Sequence, residues 1–330
     1  MRDDLAGMIG RLEAARGRRI LVIGDLILDR YIWGSVDRIS PEAPVPVLEL
    51  THETYTLGGA ANVAHNLAIL GARVDLVGLV GADQDRDRLV GLCRDAGIET
   101  AGVLEDARRP TTTKTRVIGH NQQIVRIDRE QRTSLGPDQV AAASRYLEAV
   151  FPSLDAVVVS DYSKGTVTEA LLDELRRLCR ARPVPVVVDP KSTQFAMYRD
   201  FSVMTPNQIE AGTGAGFKIR DELTLVEAGY KLRASLNLEA VLITRGANGM
   251  SLFEKGKDVV HIPTVARNVY DVTGAGDTVT SVMALALAAD LSFVESSHLA
   301  NCAAGVVVGK FGTATVTLDE LGALAPTPGA

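Results

Sequence analysis

The chain has 330 residues, 46% hydrophobic and 23% charged, the proportions of a globular protein with a substantial core. Its net charge of −6 is spread over both signs without a basic block, which argues against nucleic acid as a partner. The longest apolar runs, such as 279–289, are too short to span a bilayer, which argues against a membrane. Residues 1–19 carry Arg and Glu among Leu5, Met8, Ile9 and Leu12, an amphipathic pattern rather than an apolar signal core, so a cytoplasmic location is expected. Cys93, Cys179 and Cys302 lie far apart in helix-like apolar contexts and read as buried free thiols.

In chain order, residues 20–28 read as a buried strand whose carboxyl end carries Gly24-Asp25, with Asp29 just beyond. Charge at the end of a buried strand needs a partner or a ligand. Ligands in open α/β sheets sit beyond such ends, so Asp25 and Asp29 are candidate acceptors for sugar hydroxyls; capping the turn is the alternative. From Tyr31 to Thr56 the prolines 41, 44 and 46 exclude a helix, and Val45, Val47, Leu48 and Leu50 suggest an extended edge. Residues 111–118 and 122–128 form a second extended stretch. The two stretches are expected to make a small β lid over roughly 31–57 and 111–128. Lys114 and Arg116 alternate and face one side of it, as a clamp for an anion or as ordinary edge-strand cations.

Between these stretches, Gly58-Gly59 reads as a turn feeding a small-residue helix that stops at Gly71, which brings Asn62 near a ligand. His65 on that helix has no metal-like neighbours and reads as an ordinary helix residue. A strand over 74–80 follows. After Asp128 the pattern turns regular: helix 137–150, strand 156–159, helix 166–180, strand 184–188, helical segments to about 236, strand 240–243. The strands end in polar runs, Ser160-Asp161-Tyr162-Ser163-Lys164-Gly165, Asp189-Pro190-Lys191 and Thr244-Arg245-Gly246. Val203 likewise leads into Thr205-Pro206-Asn207-Gln208-Ile209-Glu210. This is the signature of an α/β fold, a mostly parallel sheet sandwiched by helices with its site along one edge. No linker or repeat interrupts it, so one domain, 1–330, plus the lid is expected. Gly212-Thr213-Gly214-Ala215-Gly216 imitates a dinucleotide fingerprint, but a helix rather than a strand precedes it, and no Walker A sequence is present.

The stretch Asp271-Val272-Thr273-Gly274-Ala275-Gly276-Asp277 precedes an apolar helix over 278–289. Its glycines uncover amides at a helix start, where the dipole favours an anion. A carboxylate there, Asp277, either complements the dipole or takes a proton from a hydroxyl attacking a phosphoryl group. The amides of Gly274, Ala275 and Gly276 would then cradle developing charge. Glu210, three residues after Asn207, can orient Mg²⁺ through its waters, or the two can form a capping box.

These residues together resemble the ribokinase/PfkB carbohydrate kinases. Asp271–Asp277 matches their D-x-T-G-A-G-D signature, Gly58–Gly71 resembles their first signature, Asn207–Glu210 their N-x-x-E motif, and Thr244-Arg245-Gly246 their T-x-G element. The resemblance spans essentially the whole chain. It implies a ribokinase-like fold, Mg·ATP as donor, Asp277 as the base, and a monovalent cation such as K⁺ near Asp271 and the Thr273 carbonyl. Nucleotide-side contacts are expected from Asp189, Lys191, Asn207, Glu210, Thr244, Gly246 and, in the small-residue helix 299–308, Asn301. Gly24–Gly34, Arg38–Val47, Gly58–Ala64 and Ser160–Gly165 look most like the D-glycero-β-D-manno-heptose 7-phosphate kinases, the kinase half of ADP-heptose synthesis. In that subfamily C1 of a sugar already phosphorylated at C7 receives the phosphoryl group, giving the 1,7-bisphosphate used for lipopolysaccharide core heptose. Asp25, Asp29, Gly58, Gly59 and Asn62 would hold the sugar, and Lys164, then Arg116 and Lys114, its phosphate. No fused nucleotidyltransferase half is expected after the tail Pro326-Thr327-Pro328, so adenylylation would fall to another protein. Pairing through the lid edge would make a homodimer. The alternatives are another kinase of this fold, or a silent sugar-binding regulator.

Overall fold

A strand buried on both faces reads as a continuous apolar run, and the strands of this chain send alternate residues into two separate cores. The computed structural model describes residues 5–324 apart from 121, 192, 267 and 268; the Pro326-Thr327-Pro328 tail lies outside the described residues. The chain opens with α1 (Leu5–Ala14), β1 (Arg19–Gly24), β2 (Leu26–Ile39), β3 (Pro46–Gly59) and α2 (Ala60–Ile69). Then come β4 (Arg73–Val80), α3 (Gln84–Asp95), β5 (Glu99–Glu105), β6 (Thr113–Gly119), β7 (Gln122–Arg129) and α4 (Pro137–Val150). The middle holds β8 (Ala156–Ser160), α5 (Glu169–Ala181), β9 (Val186–Asp189), β10 (Val203–Met204), α6 (Gln208–Ala215) and α7 (Glu222–Ser235). The last part holds β11 (Ala240–Thr244), β12 (Met250–Glu254), β13 (Val260–Ile262), α8 (Ala275–Ala288), α9 (Phe293–Val307) and α10 (Leu318–Gly322).

Nine strands form the main sheet in the order β13-β12-β11-β10-β9-β8-β1-β4-β5. The pairs from β11 to β5 are parallel, and only β12 and β13 join antiparallel at one edge. Ile20, Val22, Val158 and Leu242 point into a core shared with α1, α2, α8 and α9. Leu21, Ile23, Val159 and Ile243 point the opposite way, against α4, α5 and α7. The α/β reading therefore holds, as does the amphipathic α1, whose Leu5, Met8, Ile9 and Leu12 are buried.

Several boundaries differ from expectation. Residues 20–28 are not one strand: β1 stops at Gly24, and β2 begins at Leu26 in a different sheet. That second sheet, in the order β3-β2-β6-β7, is the lid, so the lid starts at residue 26 rather than near 31. The elements α3, β5, β12 and β13 have weak sequence signatures: α3 buries only Leu89 and Cys93, β5 only Gly102, and β12 and β13 are five and three residues long. Gly212–Gly216 lies at the carboxyl end of α6, where Gly216 is a left-handed cap, so the false fingerprint opens no helix. The three cysteines are free; burial pushes the Cys93 thiol up to about 12 and the Cys179 thiol up to about 11.

The topology fixes where a ligand can sit. After β1 the chain builds the lid and moves outward through β4 and β5, then returns to β8 on the other side of β1. The crevice between the carboxyl ends of β1 and β8 is thus a topological switch point. Close approach there depends on Gly24, where an added Cβ would lie 2.1 Å from the Ser160 carbonyl oxygen and 2.7 Å from the Ala60 Cβ. Gly24→Ala is expected to cost about 1–3 kcal/mol through overpacking, read as a lower urea midpoint at unchanged slope. An unchanged midpoint would mean that β1 and β8 can separate freely.

Candidate active site

Two loops and one helix start meet at the switch point. The first is the single residue between β1 and β2. Asp25, 1% exposed, accepts backbone N–H groups from Tyr162 (2.9 Å) and Lys164 (2.8 Å) on Oδ2 and from Thr166 (2.9 Å) on Oδ1. A buried carboxylate satisfied by three amides is a loop anchor. Asp25 thus caps the loop, as the turn-capping alternative expected.

The loop it anchors, 160–166, is closely specified. Ser163 adopts a left-handed φ of 55° and its amide reaches Asp161 Oδ1 at 2.6 Å. Arg109, itself buried, donates to the Lys164 carbonyl at 2.9 Å and to the Thr133 carbonyl at 3.1 Å. Asp161 accepts the Tyr198 hydroxyl; burial lifts its carboxyl to about 6, and the neighbouring Asp25 pushes the same way.

At the helix start, Gly274 takes a left-handed φ of 79°, which turns the chain into α8. The Ala275 amide closes a turn on the Val272 carbonyl at 3.2 Å. Of the expected cradle, Ala275 is therefore spent within the turn. Among the described residues, the amides of Gly274, Gly276 and Asp277 have no backbone acceptor. Asp271 braces this turn, taking the Thr273 amide (2.9 Å) and hydroxyl (2.7 Å) on one oxygen and the Gly312 amide (2.9 Å) on the other.

Asp277 is 3% exposed and faces the crevice between α2 and the 160–166 loop. The Tyr162 hydroxyl donates to its Oδ1 at 2.6 Å and Asn62 Nδ2 to its Oδ2 at 2.7 Å. Burial raises its carboxyl to about 6 against the pull of those two donors. Asn62, expected on the sugar, is thus turned toward Asp277. Tyr162 carries no role in the sequence reading; a phenol inside a polar strand-end run is the signal that marks it.

The remaining residues fall on two sides. On the lid side, Asp29 (3% exposed) pairs with Arg116 at 2.5 Å, and Arg116 lies over the Tyr31 ring at 5.2 Å. Burial works against the Arg116 charge, but Asp29 outweighs it and holds the guanidinium above its usual range. Lys114 pairs with Asp128 at 3.2 Å, and the largely buried Lys164 with Glu130 at 2.7 Å. All three expected phosphate cations therefore have carboxylate partners. Gly58 and Gly59 end β3, paired with Ile27 and Leu26.

On the other side, Asn207 and Glu210 form the capping box of α6, each side chain bonded to the other's amide at 2.9 Å. Glu210 keeps its second oxygen on Lys191 at 2.6 Å. Burial first, then the charges of Asp277 and Glu210, push Asp189 well above the usual carboxylate range. Thr244, Gly246, Val269, Gly276, Asn301 and Gly305 line a cavity of about 330 Å³ that opens at the start of α8. Its small, apolar walls suit a flat ring system, and Asn301, which donates to the Pro263 carbonyl at 2.8 Å, supplies a polar edge. The geometry thus joins a helix start with uncovered amides to a buried carboxylate, with Asp189 and Glu210 nearby; among the described residues no group of three or more His, Cys, Asp or Glu side chains is set to hold a metal ion. No described helix is long and apolar enough to cross a membrane.

Comparison with known proteins places this arrangement. The profile described as "pfkB family carbohydrate kinase" matches residues 18–320. The "Bifunctional protein HldE" of Geobacter sulfurreducens is 50% identical over 301 residues, covering 91% of this chain and 61% of that protein. Its counterpart from Geobacter metallireducens is 48% identical over 307 residues, covering 93% and 63%. The chain therefore spans less than two thirds of the length of these relatives. Among solved structures, phosphofructokinase-2 from Escherichia coli in complex with potassium superposes with a TM-score of 0.77 at 18% identity, covering 94% of this chain and 98% of that one. Arabidopsis thaliana ribokinase complexed with ribose and ATP gives 0.73 at 19% identity, covering 94% and 99%. At such identities these two likenesses establish the ribokinase-like fold.

Asp25→Ala should leave the amides of residues 162, 164 and 166 without an acceptor. Their hydrogen exchange is expected to quicken about tenfold or more relative to the amides of β8. Unchanged protection would remove Asp25 as the anchor.

Proposed function

The chain belongs to the pfkB family of carbohydrate kinases, and we propose that it transfers the γ-phosphoryl group of ATP to C1 of D-glycero-β-D-manno-heptose 7-phosphate. The single observation that carries the reaction type is Asp277: a buried carboxylate at about 6, beside uncovered helix-start amides, at the mouth of an apolar cavity. Asp277 takes the proton of the attacking hydroxyl, and the amides of Gly274, Gly276 and Asp277 hold charge that develops on the transferred group. The adenine ring enters the cavity beside Asn301 and Gly246. Glu210, Asn207 and Asp189 would hold Mg²⁺ through its waters, and Asp271 with the Thr273 carbonyl a monovalent cation such as K⁺. Mg²⁺, when bound, neutralises charge on the donor phosphates. Lys191 sits on Glu210 and would follow it.

Support for the heptose 7-phosphate comes from the subfamily motifs and from the lid. Asp29 and the cations Arg116, Lys114 and Lys164 line the sugar side, already poised on carboxylates that an incoming phosphate would replace. The product would be the 1,7-bisphosphate of ADP-heptose synthesis, made in the cytoplasm. A homodimer through the lid is favoured by exposed Leu50, Val125 and Ile127 on its two edge strands.

Asp277→Asn is expected to lower turnover by about 10²–10⁴-fold while leaving sugar-phosphate binding nearly intact. Substantial residual turnover would remove Asp277 as the base. In the wild type an ionised Asp277 is the active form, so kcat/KM should rise with pH through about 6. An ADP-release assay against a panel of sugar phosphates tests the acceptor: heptose 7-phosphate should lead, and equal rates with ribose would overturn the assignment.

A further inference from the structure

Asp277 has an environment that its role as a base does not by itself require. Its two oxygens each receive one hydrogen bond, from different elements, the Tyr162 hydroxyl at 2.6 Å and the Asn62 amide at 2.7 Å. Both donors are themselves held. Asn62 lies in the first turn of α2, is fully buried, and its carbonyl takes the Asn66 side-chain amide at 2.9 Å. Asn66 in turn accepts the hydroxyl of Thr278, the residue after the base, at 3.2 Å. Tyr162 is held through its backbone amide, which donates to Asp25 at 2.9 Å. Arg109 grips the same loop at the Lys164 carbonyl.

Resting on the reading of Asp277 as the base, we propose that Tyr162 and Asn62 are positioning residues, a two-donor clamp that fixes the plane of the Asp277 carboxylate and leaves its outward lone pairs for the acceptor hydroxyl, with Asp25 setting the clamp through the 160–166 loop. A carboxylate offers about four lone-pair sites, and the clamp uses two. An unclamped carboxylate would rotate about its Cβ–Cγ bond and present the hydroxyl with varying geometry. The Tyr162 phenol suits the task because burial first, then the Asp277 charge, raises it well above its usual value. It therefore remains a donor across the working range.

The surroundings set the direction of the test. Asp29 on β2 pushes the Asp277 carboxyl up, and Lys191 beyond β9 pulls it down. Asp189 at the end of β9 repels it as well. From α2 the facing groups are the neutral Asn62 and Asn66, and from the loop after β8 the neutral Tyr162. Removing either donor takes away a hydrogen bond that favours the ionised form, so the midpoint must rise.

The decisive measurement is ¹³C NMR titration of carboxyl-labelled aspartate in the full chain, with the Asp277 signal assigned by its loss in Asp277→Asn. The wild-type midpoint should lie near 6 and move up by about one pH unit in Tyr162→Phe. The acid limb of kcat/KM for heptose 7-phosphate should move with it, with KM little changed, and turnover at high pH should stay below the wild-type value because the freed carboxylate rotates. Asn62→Ala removes the other donor and carries the same expectation should Tyr162→Phe not fold. An unmoved midpoint, or turnover that returns fully to the wild-type value at high pH, overturns the clamp. A midpoint that moves in a chain that turns over no sugar phosphate sustains the clamp and overturns the proposed reaction instead.

Discussion

A carboxylate buried as deeply as that of Asp25 persists in a folded chain only where donors replace its water, and here the donors are three backbone amides from one loop. That exchange couples the end of β1 to the end of β8 across the switch point. It also explains why β1 cannot run on into the lid as a single strand. The chain has to leave the main sheet at residue 25 for its side chain to reach the loop, and Gly24 is the position that lets the two strand ends approach closely enough. The lid, the loop and the site all take their positions from this contact. Charge-assisted hydrogen bonds of this kind contribute about 1.5–3 kcal/mol each, so three of them can hold a loop that carries a left-handed serine.

The charges nearby follow one pattern: each cation that the proposed substrates would use is already neutralised by a carboxylate. Arg116 rests on Asp29, Lys164 on Glu130, Lys114 on Asp128 and Lys191 on Glu210. Leaving a buried charge without a partner costs about 3–5 kcal/mol, so the ligand-free protein gains by the buried pairs of Arg116 and Lys164, whereas the exposed Lys191 gains far less. Under the proposed reaction, an anion entering the lid exchanges one partner for another and exposes no bare charge. Such exchange favours a dianionic phosphate over a neutral sugar, because a hydroxyl cannot replace a carboxylate opposite a guanidinium.

Much of this is legible in the sequence. The alternation of apolar strands with helices between β8 and β11 was strong because both faces of each strand are buried, and the Asp271–Asp277 stretch announced a helix start by its glycines. The lid was legible through its prolines, although its first three residues, Leu26 to Leu28, were hidden in an apolar run that crosses two sheets. The helix α3 was missed because its face toward the core is narrow, with only Leu89 and Cys93 buried. Asn62 and Tyr162 could not be assigned to Asp277 because they are 215 and 115 residues away along the chain. Pairings of that range arise from topology, and the local pattern around either residue carries no trace of them. Asp25 shows the converse: its position at a strand end was correctly marked as unusual, but a carboxylate waiting for a ligand and one binding a loop look the same in sequence.

The depth of Asp277 then has a chemical meaning within the proposed reaction. Fully solvated, a carboxylate near its ordinary value would be ionised at neutral pH but a weak acceptor for a hydroxyl proton. Deep burial alone would make it a stronger base and also neutral for most of the time. Two donors against burial bring it to about 6, below neutrality yet well above an exposed aspartate. The apolar face of α8 that fills the core with Val282, Met283 and Leu285 enforces the burial, and the loop anchored by Asp25 supplies one of the two donors. The reactivity of one carboxylate is thus set by the packing of the helix it begins and by a second carboxylate that anchors the loop beside it.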